Sequence, residues 1–187
     1  MPDVKPKAAH KSSPSWSDVK AKLADFDRAG LIGLVQALYV AGKDNQAFLH
    51  ARFTLGQDVL KPYKVTIDRW LWPDLFKNQD TSVAKAKKAI SEYKKANDHP
   101  EGMAELMVFY CERASGFSAD IGYQDDGYFD ALVRMFEQSL QMIATLPDAQ
   151  QPALWGRLAQ VRRTSDNFGY GVGDDMDALL AEYGVDG

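Results

Sequence analysis

The period of the apolar residues constrains this chain more than any other feature. Between positions 126 and 146, Phe129, Leu132, Val133, Phe136, Leu140 and Ile143 recur at three- and four-residue intervals, which puts them on one face of a helix. Tyr128, Met135 and Met142 widen that face, and a helix this apolar packs on two sides, so it belongs to the core. No segment alternates apolar and polar residues between hairpin turns, so no strands are predicted. The fold class read from the sequence is therefore all-α.

The same period marks the other elements. Ser15 or Ser17 caps a helix expected over 16–29, carrying Val19, Leu23 and Phe26 and ended by Gly30. A more apolar helix follows at 31–41, with Leu31, Leu34, Val35, Leu38 and Tyr39 as a wide stripe ended by Gly42. Asp44 caps a helix expected over 45–57 with Phe48, Leu49 and Phe53 facing inward. Pro62 and Pro73 punctuate the next stretch, leaving a short helix near 64–70 and then a loop. From Thr81 a Lys-rich helix over 81–97 carries Val83, Ala86, Ile90 and Tyr93 as its apolar stripe. Pro100 suits the first position of a helix over 101–118 with Met103, Leu106, Met107, Tyr110, Ala114 and Phe117. Helices near 150–164 and 174–183 close the chain. Short connections join about eight or nine helices into antiparallel hairpins, a bundle or short α-solenoid with its core around 103–146. Residues 1–14, with three prolines and three lysines, read as a flexible basic tail, and 15–187 as one helical domain.

Several chemistries lack their residues. With 187 residues the chain buries roughly 70% of its unfolded surface and needs no metal or disulfide to hold a core. Its one cysteine, Cys111, excludes an internal disulfide framework and a Cys-rich zinc site, and reads as a buried structural thiol. His10, His50 and His99 have no metal-ligand spacing. The glycine-rich loop at 169–173 opens a helix beginning Asp174 and Asp175, with Asp177 beyond, and those carboxylates repel phosphate while favouring the helix dipole. Neither they with Asp166, nor Asp120, Asp125 and Asp126 around Gly122, match a calcium loop, and Asp125 reads as a helix cap. No G-x-S-x-G elbow occurs. No catalytic residue, metal or cofactor is predicted. No run of about 18 apolar residues and no secretory signal is present, so no membrane partner is expected and the cytoplasm is the expected location.

Charge supplies the binding hints. Residues 1–95 hold 17 Lys and Arg against 10 Asp and Glu, while 96–187 hold 5 against 16. Such polarity steers an anionic partner to the first half or promotes head-to-tail self-association. Lys85, Lys87, Lys88, Lys94 and Lys95 lie off the apolar stripe of their helix, and Arg69, Trp70 and Trp72 stand nearby with Lys61, Lys64 and Lys77. Cations interleaved with aromatics are what single-strand nucleic-acid binders use. The partner expected first is nevertheless another protein or a second copy, with the chain acting as a non-enzymatic interaction module. Nucleic acid on the lysine helix is the alternative.

Four segments carry a family resemblance: LVQALYVAGKDNQAFLHARF at 34–53, AKKAISEYKKA at 86–96, AELMVFYCERASGFSADIGYQDDGYFDALVRMFEQSL at 104–140 and GYGVGDDMDALLAEY at 169–183. Together they resemble an uncharacterised family of small bacterial all-helical proteins, a domain of unknown function. Where that family tends to an acidic turn of the G-D-x-D-E type, this chain has Gly122-Tyr123-Gln124-Asp125-Asp126. The resemblance implies helical hairpins and a bacterial cytoplasmic setting, and brings no activity or site residues.

Overall fold

The structure is a computed structural model that describes residues 13–184, so most of the expected tail at 1–14 lies outside the described residues. Among the described residues it is all-helical. The elements are α1 (Trp16–Leu23), α2 (Arg28–Ala41), α3 (Lys43–Arg52), α4 (Lys61–Leu71), α5 (Val83–Ala96), α6 (Pro100–Ile121), α7 (Asp126–Ile143), α8 (Gln151–Thr164) and α9 (Val172–Glu182), with one 3₁₀ turn at Leu75–Lys77. The chain divides into two compact units, Met1–Asn45 and Gln46–Gly187.

The first unit holds α1 and α2. At the start of α1 the Asp18 carboxylate reaches back to the cap residue, its Oδ2 accepting from the Ser15 N–H at 2.7 Å and from Ser15 Oγ at 2.8 Å. The helix expected to run on to Gly30 stops at Leu23. Asp27 accounts for that: its Oδ1 accepts the Gly30 N–H at 2.7 Å, so Gly30 lies in the first turn of α2 and terminates nothing.

The second unit is built on α6. This helix packs against α4, α5, α7 and α8, while α4 pairs with α5 and α9 with both α7 and α8. One helix meeting four others makes a bundle and not a solenoid, in which each element meets only its neighbours. All six residues of the predicted α6 stripe are buried, as are Phe129, Leu132, Phe136, Leu140 and Ile143 of α7. Gly122 ends α6 in the left-handed region at φ 68°, which lets the chain reverse, and Asp125 Oδ1 then caps α7 from the Tyr128 N–H at 2.7 Å. Tyr128 reaches across the bundle, its hydroxyl donating to the Leu71 carbonyl of α4 at 2.8 Å.

Two elements differ from expectation. The short helix near 64–70 is the longer α4, because Pro62 sits in its first turn, where a missing N–H costs no hydrogen bond. The helix expected over 45–57 ends at Arg52, and it buries Ala51 while Phe48 and Phe53 are exposed. Anchors at the end of α3 explain this: Asn97 Nδ2 donates to the Ala51 carbonyl and Arg52 Nη2 to the Lys95 carbonyl, each at 3.0 Å. They turn Ala51 toward α5 in place of the aromatic rings.

Gly102 fixes how closely α6 approaches α5. A Cβ at this position would lie 2.1 Å from the Tyr93 hydroxyl oxygen and 2.6 Å from ring carbon Cζ, and that ring is buried. Gly102→Ala is expected to destabilise the fold by about 1–3 kcal/mol despite the better helix propensity of alanine. Chemical denaturation checks it, and combining the change with Tyr93→Leu should recover part of the loss.

Candidate interaction surfaces

Three surfaces or clusters stand out: the lysine face of α5, an arginine–carboxylate network beneath the α6–α8 cleft, and the apolar helix α2.

On α5, burial of Ala86, Ala89, Ile90 and Tyr93 turns Lys85, Lys87, Lys88, Lys94 and Lys95 to solvent. Lys95 pairs with Glu92 at 3.0 Å, while among the described residues the other four meet no carboxylate. Trp70 is brought to this face: Lys85 Nζ stands 3.8 Å from its ring centroid and the Arg69 guanidinium 4.4 Å. Two cations thus already lie against the Trp70 ring. Trp72 is directed to α6 instead. It packs edge-on to Phe117 at 6.3 Å, rests over Gly116, and carries Arg113 at 4.1 Å. The structure therefore joins Arg69, Trp70 and Lys85 and separates Trp72 from them.

The acidic half of the chain contains an organised cation network. Arg157 of α8 donates through Nη1 to Glu105 Oε2 at 2.5 Å and through Nε and Nη2 to the two oxygens of Glu112 at 2.7 and 2.8 Å. Lys64 of α4 donates to Glu105 Oε1 at 2.6 Å. Burial pushes the Glu105 carboxyl up, but the hydrogen bonds from Arg157 and Lys64 outweigh it and hold its pKa below the usual value. Above this network a cleft of about 570 Å³ opens between α6 and α8, with Arg113, Arg157 and Arg163 along its walls. Arg157 is matched by two carboxylates and Arg113 pairs with Asp68 at 2.5 Å, so these two tie helices together, while Arg163 donates to Gln160 and meets no carboxylate among the described residues. Sequence spacing carries no sign of it, since Arg157 lies 45 residues from Glu112 and 52 from Glu105.

Of the acidic residues singled out in the sequence, Asp166 and Asp177 are ion-paired within the chain and Asp125 caps α7. Arg162 binds Asp177 through Nε and Nη2, each at 2.6 Å, and also pairs with Asp166. Among the described residues no three His, Cys, Asp or Glu side chains come together as they would around a metal ion. Cys111 is fully buried, its Sγ 3.7 Å from Ser139 Oγ. Burial pushes its thiol up to about 12, so the thiolate fraction at neutral pH is negligible. Native protein is expected to leave Cys111 unmodified by an aromatic disulfide reagent, with one thiol titrating after denaturation.

The third surface is α2, expected at 31–41 and found over Arg28–Ala41. None of its residues is buried, although Leu31, Ile32, Leu34, Val35, Leu38 and Val40 fall within it and are 38–73% exposed. Periodicity predicts that such a helix packs, and does not say against what. In α1, Trp16 at 69% and Val19 at 46% add to the exposed apolar surface of this unit, as does Phe26 at 46% in the connection. Among the described residues no helix is long and apolar enough to cross a membrane.

Compared with protein-family models, curated proteins and solved structures, the chain matches none.

Proposed function

We propose that this protein is a non-enzymatic protein–protein interaction module that engages its partner through α2. The observation that carries the reading is a helix with six exposed aliphatic side chains and no buried residue. Scattered exposed apolar residues are ordinary on a protein surface, but a charge-free run of them along one helix is the composition of an interface core. In this reading the bundle around α6 is the scaffold. The bacterial cytoplasmic setting remains part of the proposal and rests on the resemblance of the four segments quoted above.

The test is capture of the tagged protein from its native host beside a Leu34→Glu/Leu38→Glu variant. A stoichiometric protein partner that survives raised salt with the parent chain and is lost with the variant is expected. A partner held equally by both, or turnover of a substrate by the purified protein, would contradict the proposal.

A second reading, nucleic acid on α5, is favoured by the four lysines that have no carboxylate partner among the described residues. It predicts captured nucleic acid that washes off steeply with salt and disappears on reversing Lys87, Lys88, Lys94 and Lys95 to glutamate.

A further inference from the structure

We infer that the cleft between α6 and α8 binds a small organic anion, an apolar body carrying a phosphate or carboxylate, with Arg113 and Arg163 as its charge partners. Its walls all belong to the second unit, so the inference stands apart from the reading of α2. Charge, unused donors and space carry it.

The charge of the lining is positive. Arg113, Arg157 and Arg163 border the cleft against one carboxylate, Glu112. Both Glu112 oxygens already accept from Arg157, which is answered in turn by Glu105 and Glu112. That leaves Arg113 and Arg163 for an incoming anion. Asp68 offsets part of the charge on Arg113, and no carboxylate among the described residues offsets Arg163. The cleft is therefore cationic although residues 96–187 are strongly acidic.

The donors are held in place without being consumed. The half-buried Arg113 guanidinium lies 4.1 Å from the Trp72 ring centroid, which fixes it against α4. Its Nε stands 2.5 Å from Asp68 Oδ1 but out of hydrogen-bonding alignment, and it makes no hydrogen bond among the described residues. Arg163 gives Nε and Nη2 to Gln160 Oε1 at 3.3 and 3.1 Å, and its Nη1 has no partner among the described residues. A guanidinium fork fixed in advance matches the paired oxygens of a carboxylate or phosphate.

Space for an organic body is present. The cleft measures about 570 Å³, within the roughly 300–1,000 Å³ of small-molecule sites, and Phe109, Ala153 and Val161 give it apolar wall. Gly156 lies inside α8, where glycine is a poor helix former. A Cβ there would meet nothing within 4 Å, whereas at Gly116 on the opposite wall it would strike Trp72 at 2.6 Å. Packing within the chain thus requires the glycine at 116 and not at 156. At 156 the missing side chain keeps the cleft open.

The test is a titration of the full chain, followed by amide chemical shifts, with phenyl phosphate and with phenylacetate. Benzyl alcohol and inorganic phosphate, each carrying half of the chemistry, are the comparators. Saturable shifts are expected near 113–116 and 156–164, with affinity for an aryl anion roughly 10-fold or more above that for either comparator. Arg163→Gln should weaken binding by roughly 10-fold, through loss of a charge-assisted partner at an exposed position where folding is not at stake. Gly156→Leu should abolish the shifts while melting no lower than the parent by circular dichroism, since the position is open and leucine is the better helix former. No saturable shift with either aryl anion up to about 10 mM would overturn the inference. So would binding that survives both substitutions unchanged, which places the site elsewhere. Inorganic phosphate bound as tightly as phenyl phosphate would overturn the assignment to an organic anion.

Discussion

Phe136→Ala is expected to lower the free energy of unfolding by about 3–5 kcal/mol, the largest single loss among the substitutions considered. Phe136 is 0% exposed and lies on the broad apolar face of α7, the helix that packs against α6, α8 and α9. Its removal forfeits the transfer free energy of a phenyl group and leaves a cavity walled by helices already fixed by their own neighbours. Denaturant titration should show a lower midpoint with an unchanged slope. A loss below about 1 kcal/mol would mean that α7 is not the core helix described.

Arg157→Leu is the second large effect, expected to cost about 2–4 kcal/mol near neutral pH. Arg157 is the shared donor to Glu105 and Glu112, and all three side chains are about two-thirds covered. Removing it leaves two carboxylates near each other with Lys64 alone in compensation on Glu105. The loss is set below that of a fully buried pair because water still reaches the network. Arg157→Lys should recover little, since a single ammonium cannot span both carboxylates as the guanidinium fork does. The pH dependence has a defined sign. Glu105 titrates in the folded state below its ordinary value of 4.5, so its contribution is complete above that value and is lost as pH falls through the lower folded-state pKa. Arg157→Leu should therefore flatten the acid limb of the stability profile as well as lower its plateau.

Much of the bundle was legible because local physics decides it. The three- and four-residue spacing along α5, α6 and α7 names the residues found buried there, and Asp125 and Pro100 mark helix starts through capping and fixed φ. Misreadings arose where two local signals competed. Gly30 looked like a stop, but Asp27 nearby was the stronger start. Phe48 and Phe53 looked like the inward face of α3, but Asn97 and Arg52 orient that helix through partners more than forty residues away in sequence. The Glu105–Arg157–Glu112 network was invisible for the same reason. The candidate surface was half legible. The lysines of α5 were visible as an off-stripe set, whereas the exposure of α2 was not, because an apolar stripe has the same pattern whether another element covers it or not.

Hydrogen–deuterium exchange of the α2 backbone, measured from dilute to concentrated protein, tests the central claim most directly. A helix with no buried residue opens locally at little cost, so amides from Leu31 to Val40 should exchange fast in dilute monomer while those of α6 and α7 stay protected. On association or partner binding, protection should appear on α2 selectively. Slow exchange of α2 in monomer at every dilution would show that the chain covers this helix itself, and would contradict the assignment of α2 as the docking face.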